Sequence, residues 1–198
     1  MTLSGKIEVE ESDRAAVDER PWLRLARQGD EAAWEWLMAA HQQPVFRLAY
    51  LILGDGAEAE EVTQDVFVRA YFALDRFDES RPLRPWLLQI TRNLARNRWR
   101  SWKRYWTAVQ KWRQYEPEAI TTPTEQQEST LLWQAVRRLR PSAQEVIYLR
   151  YFLEMNEAET AVALGVQPGT VKSRLHRALK QLQVVVERDF SELSEYRP

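Results

Sequence analysis

Between Arg92 and Arg113 the chain carries eight basic residues, Arg92, Arg96, Arg98, Arg100, Lys103, Arg104, Lys111 and Arg113, and no acid. Trp99, Trp102, Tyr105, Trp106 and Trp112 interleave with them. Cations at this density can follow a phosphate backbone, and aromatic faces can stack on bases that have left a duplex. Asn93 and Asn97 lie one helical turn apart, so their amides can converge on one exposed base edge. A plain amphipathic helix with inward-packed tryptophans fits the same pattern, and Trp86 and Trp99 are the first candidates for such packing. A second polar and largely basic set, Lys172, Ser173, Arg174, His176, Arg177 and Lys180, follows Gly165. Ala161, Leu164, Val166, Val171 and Leu175 are spaced to interlock as the core of a helix-turn-helix, with Gly165 accepting the positive φ of the turn. In that setting the exposed cations face a major groove, where Arg and Lys read guanine edges and bind phosphate. On an isolated surface helix they are only a solvated face; the glycine turn and the apolar interlock favour duplex DNA.

Other chemistries find little support. The chain has no cysteine and two histidines, His41 and His176, so thiolate zinc, cysteine nucleophiles and histidine-rich metal sites are excluded. No nucleophile–base–orienter grouping and no GxxxxGK[ST] phosphate loop is present. The expectation is a protein that is not an enzyme and needs no cofactor and no metal. The formal net charge of −1 argues against a protein that coats nucleic acid by bulk charge. From Asp55 to Glu79 the only cations are Arg69 and Arg76, set among many acids. Such a face does not hug phosphates. From charge alone it is equally a solvated surface or a protein-docking face.

The elements that must position these residues read as helices. Six glycines, no strand-like alternation and long 3.6-residue periodicity give an all-α fold of two small helical domains joined by a flexible linker. The expected boundaries are an acidic extension over 1–20, a first domain over 21–113, a linker over 114–127, a second domain over 128–190 and a tail over 191–198. A short helix follows Pro21, and Asp30 caps the next, whose buried stripe is Ala33, Trp34, Leu37 and Met38. Pro44 is expected to break or kink that helix. Gly54-Asp55-Gly56 makes a turn, a third helix spans about 57–74, and a long one runs from about Pro85 to Arg113. In the second half, helices are expected at about 128–139, 142–152, 156–164 and 168–188. Ser142 and Glu145 have the spacing of a capping box at the start of the second of these. No export signal and no apolar run near the ~20 residues of a membrane span is present. A soluble, cytoplasmic protein without membrane insertion is expected.

Three stretches of the first half resemble the second region of extracytoplasmic-function (ECF) sigma factors, subunits that lead RNA polymerase to promoters. They are Glu60-Glu61-Val62-Thr63-Gln64-Asp65-Val66-Phe67-Val68-Arg69-Ala70-Tyr71, Leu74-Asp75-Arg76-Phe77-Asp78 and Pro85-Trp86-Leu87-Leu88-Gln89-Ile90-Thr91-Arg92-Asn93-Leu94-Ala95. Leu139-Arg140-Pro141, Leu149-Arg150-Tyr151-Phe152 and Gly169-Thr170-Val171-Lys172-Ser173-Arg174-Leu175-His176-Arg177-Ala178 resemble their fourth region. Both regions in this order, with only a linker between, are far more specific than either alone.

The resemblance implies that core RNA polymerase is a partner, through its β′ clamp and β flap, together with promoter DNA and an anti-sigma factor. It tips the acidic helix towards docking on the β′ clamp through Gln64, Asp65, Val68, Arg69 and Phe72. It implies −10 element contacts by Phe77, Trp86, Asn93, Arg96, Asn97 and Arg100. Thr170, Lys172, Ser173, Arg174, His176 and Arg177 would read the −35 element. Three departures stand out: the prolines of Pro82-Leu83-Arg84-Pro85, which could stiffen base capture, Thr160, where the family often has isoleucine, and the acidic N-terminal extension, which lies outside the pattern. The alternative is a helix-turn-helix regulator that acts without binding core polymerase.

Overall fold

The computed structural model describes residues 18–110 and 127–189, with side chains described outside 103–110 and 127–130. Much of the acidic extension, nearly all of the linker and the C-terminal tail therefore lie outside the described residues. The described residues are helical throughout, without a strand. The chain runs through α1 (Arg20–Arg27), α2 (Glu31–Leu53), α3 (Gly56–Ala73), a 3-10 turn (Leu74–Arg76) and α4 (Leu83–Gln110). The second half is α5 (Gln127–Arg137), α6 (Pro141–Ile147) prolonged by a π-helical turn (Tyr148–Phe152), α7 (Glu157–Leu164) and α8 (Pro168–Asp189).

Local chemistry sets the boundaries in the first half. The Asp30 carboxylate accepts from the Ala33 backbone N–H at 2.8 Å, one of the helix-start donors that has no partner within the helix. Gly54 ends α2 in the left-handed region at φ 75°, and Asp55 caps α3 by accepting from the Glu58 N–H at 2.9 Å. The cap of one helix thus abuts the start of the next, which turns α3 back on α2. Pro44 corrects one expectation, because α2 runs unbroken through it. Leu37 and His41 before the proline and Val45 and Leu48 after it are all buried. That shared burial outweighs the ~3 kcal/mol a helix-interior proline costs.

Helices α2, α3 and α4 pack on one another around Leu37, Val45, Leu48, Val62, Val66, Leu87 and Leu88, all at most 2% exposed. α1 lies across α2, where Trp22 and Trp36 stack at 4.8 Å. In the second half, Asn156 and Glu159 form a reciprocal capping box on α7, and Gly165 closes that helix at φ 65°. The box expected at Ser142 is absent. Pro141 occupies the first turn of α6, Arg140 sits at the cap position without a side-chain bond, and the Glu145 side chain turns inward.

The halves are packed together. α4 lies against α7, and the π-turn touches α2. Tyr50 of α2 and Trp133 of α5 stack at 6.3 Å with planes 6° apart. Arg137 lies over the Trp133 ring, 4.8 Å from its centre, and hard against Gly54, where a β-carbon would collide with the guanidinium.

Candidate nucleic-acid and polymerase interface

α3 buries Ala59, Val62, Thr63, Val66, Phe67 and Ala70, which fixes its other side outward. Gln64, Asp65, Val68, Arg69 and Phe72 all stand on that exposed side, so the five residues expected to dock form one face. Phe72 is 80% exposed and Val68 55%. An exposed ring beside an exposed valine on one helix face is the kind of contiguous apolar patch that can serve as a protein-contact surface. Tyr71, which sequence reasoning did not single out, widens the face: it is exposed and meets the Trp34 ring edge-on at 5.3 Å. Its signal was its helical adjacency to Val68 and Phe72.

On α4, Leu87, Leu88, Thr91 and Ala95 face the core, which leaves Asn93, Asn97 and Arg100 exposed along one strip. Trp86 and Trp99 are half-buried against the core, as their apolar neighbours suggested. Arg98 pairs with Glu58 and Glu61 of α3, so it binds the two helices to each other. The Glu58 hydrogen bond, first among several causes, holds its guanidinium above the ordinary arginine range. Arg96 also faces a carboxylate, that of Glu145 in α6 at 3.2 Å, and Arg92 reaches the other oxygen of the same carboxylate at 2.7 Å.

The loop ahead of α4 is held from both sides. Asp78 accepts from the Ser80 hydroxyl at 2.6 Å and from the Ser80 N–H at 3.0 Å. The hydroxyl bond, then the N–H bond and Arg81, keep its carboxyl below the usual aspartate range. Arg27 of α1 donates to the carbonyls of Leu74 and Phe77, an anchor the sequence did not announce. Phe77 itself is 7% exposed and packs on Trp86 with centroids 4.7 Å apart. In this arrangement its ring supports the loop from beneath, and stacking on a base requires it to leave the core.

In the second half Ala161, Leu164 and Val171 are buried and Val166 and Leu175 half-buried, the interlock expected of a helix-turn-helix. Thr160 is buried too, its hydroxyl donating to the Asn156 carbonyl at 2.7 Å. An isoleucine position is thereby filled without an unpaired polar group. Lys172, Ser173, His176 and Arg177 are exposed on α8, while Thr170 and Arg174 are half-buried at its edge. Arg177 donates from Nε to the Ser173 carbonyl at 3.1 Å, lying along its own helix. No helix among the described residues is long and apolar enough to cross a membrane.

One helical unit sets an exposed acidic and apolar helix face beside a strip of amides and cations, and the other carries a helix-turn-helix. The family model for Sigma-70 region 2 matches residues 37–105, and that for Sigma-70 region 4 matches residues 129–182. The chain is 32% identical over 167 residues to the ECF RNA polymerase sigma factor SigL of Mycobacterium tuberculosis, covering 80% of this chain and 94% of that one. It is 28% identical over 175 residues to the ECF RNA polymerase sigma factor SigW of Bacillus subtilis, covering 81% and 92%. Among solved structures, CnrH in complex with the cytosolic domain of CnrY is similar with a TM-score of 0.67 at 25% identity, over 87% of this chain and 99% of that one. The chain belongs to the ECF sigma factors of the sigma-70 family. Its function is that of the family, binding core RNA polymerase and directing promoter-specific initiation.

Proposed function

We propose that three helical faces divide this work. The exposed α3 face, Gln64, Asp65, Val68, Arg69 and Phe72 with Tyr71 beside them, docks on the polymerase β′ clamp. The α4 strip, Asn93, Asn97 and Arg100 with Arg96, holds the opened −10 strand, and Trp86 and Phe77 shape the loop at its start. Thr170, Lys172, Ser173, Arg174, His176 and Arg177 on α8 read the −35 duplex. Opening a base step costs a few kcal/mol, a scale met by base stacking on aromatic rings and a fitted site. The chain supplies address and strand capture, and the polymerase performs the nucleotide chemistry. It acts in the cytoplasm, with the β flap as a second polymerase contact and an anti-sigma protein as the restraining partner.

One observation carries the reading: the acidic–apolar face and the basic–amide strip lie on adjacent helices of one core, joined through Arg98, Glu58 and Glu61. Strand capture is thereby fixed in position relative to the polymerase. The decisive experiment is gel filtration of the purified chain with sigma-free core polymerase. Stoichiometric co-elution, abolished by the double charge reversal Asp65→Lys and Arg69→Glu, is expected. Failure to associate, with duplex DNA binding intact, would return the chain to the regulators that act without polymerase.

A further inference from the structure

Glu145 is 3% exposed, the one acid among the described residues that is buried. Among the described residues, the cations paired with it both come from the other half. Its two carboxylate oxygens meet Arg92 Nε at 2.7 Å and Arg96 Nε at 3.2 Å, and both arginines belong to α4 in the other half. The same face of α4 places the Gln89 amide beside Gly165, the turn of the helix-turn-helix. Nearby, Arg84 donates from Nη2 to the Leu153 carbonyl at 2.8 Å. A buried carboxylate is tolerated only while it is paired, so this pair exists as a unit only when the halves are closed. Buried charge pairs add little net stability over apolar packing, but they penalise any register that leaves one partner alone. Glu145 therefore selects one closed arrangement.

That arrangement treats the three working faces unequally. The face of α3 proposed to dock and the residues Lys172, Ser173, His176 and Arg177 of α8 stay exposed. Arg96, assigned to the −10 strand, has its side chain only 29% exposed and is already paired with a carboxylate. We propose that Glu145 is an intramolecular latch, a phosphate mimic that keeps the −10 strip of the free chain occupied until polymerase separates the halves. The consequence is an order of events. The closed chain can dock on polymerase through α3, but it cannot grip single-stranded DNA until it opens. The gating half of this proposal rests on the −10 reading of Arg96, whereas the latch itself does not.

The test uses the full chain, which has no cysteine of its own. Glu35→Cys and Gln181→Cys, both at exposed positions in opposite halves, carry a donor and an acceptor dye. Glu145→Gln and Arg92→Gln, each checked for cooperative thermal unfolding, should both lower the transfer efficiency of the free chain. Efficiency unchanged from the parent in both variants overturns the latch. A fluorescent single-stranded oligodeoxynucleotide then probes the gate, and Glu145→Gln should bind it about tenfold more tightly or better, because the closed population no longer subtracts from the competent one. An opened chain with parental strand binding overturns the gate. Arg96→Ala in saturated holoenzyme separates the two readings: normal promoter opening there refutes the −10 assignment and leaves the dye measurement to judge the latch.

Discussion

Asn93 and Asn97 are polar, uncharged and exposed one turn apart on a helix rich in cations. Amides at that spacing suit a base edge, whereas arginines suit the backbone on either side. Asn93→Ala is expected to slow open-complex formation while leaving co-elution with core polymerase intact. Open complexes forming at the parental rate would remove Asn93 from base capture. Arg177 differs, since its guanidinium lies along its own helix and must swing outward to reach DNA. If it makes a good base contact, Arg177→Ala costs about 1–3 kcal/mol on the preferred −35 sequence and less on a scrambled one. An equal loss on every duplex would make it a phosphate contact.

At the scale of the element, the turns were the most legible features and the caps only in part. Asp30 caps as expected, while the box at Ser142 does not form and the one at Asn156 was not foreseen. Asp30, Asp55, Gly54 and Gly165 do what their residue types favour, because capping depends on chemistry within a few residues. The same locality makes two changes predictable by chemical denaturation. Asn156→Ala, which removes half of the capping box on α7, should cost about 1 kcal/mol. Gly165→Ala should cost about 1–2 kcal/mol, because φ 65° is strained for any residue with a β-carbon. Gln89, whose amide would sit 3.2 Å from that carbon, has a flexible end that can give way. What depended on distant partners was not legible. Pro44 looked like a helix break because the buried residues on either side of it gain their value only from α3 and α4. Glu145 looked like half of a cap because its true partners are 53 and 49 positions earlier in the chain.

At the scale of the whole molecule, the faces proposed for polymerase and for each DNA element were visible as clusters of residue type, since all of their residues but Phe77 lie within one helix per face. Their relation to one another was not, because it is set by side chains that meet across the two halves. Phe77 illustrates the limit: its position matched the family's capture loop, yet its ring is spent on Trp86 and the core. Leu88, fully buried where α4 meets the rest of the first half, is a measure of that core. Leu88→Ala should cost about 2–5 kcal/mol in thermal or urea unfolding. A smaller loss would mean that the α2–α3–α4 packing closes up around the missing side chain.

The stack of Tyr50 on Trp133 spans the seam between the halves. It gives the molecule an optical signal of its own state. While the halves are closed, the indole is half-buried, stacked with the Tyr50 ring and 4.8 Å from the Arg137 guanidinium. When they part, the indole meets water and its emission moves to the red. The difference between the parent spectrum and that of Trp133→Phe isolates this one chromophore from the other tryptophans, so the encounter with polymerase can be timed without attaching a dye.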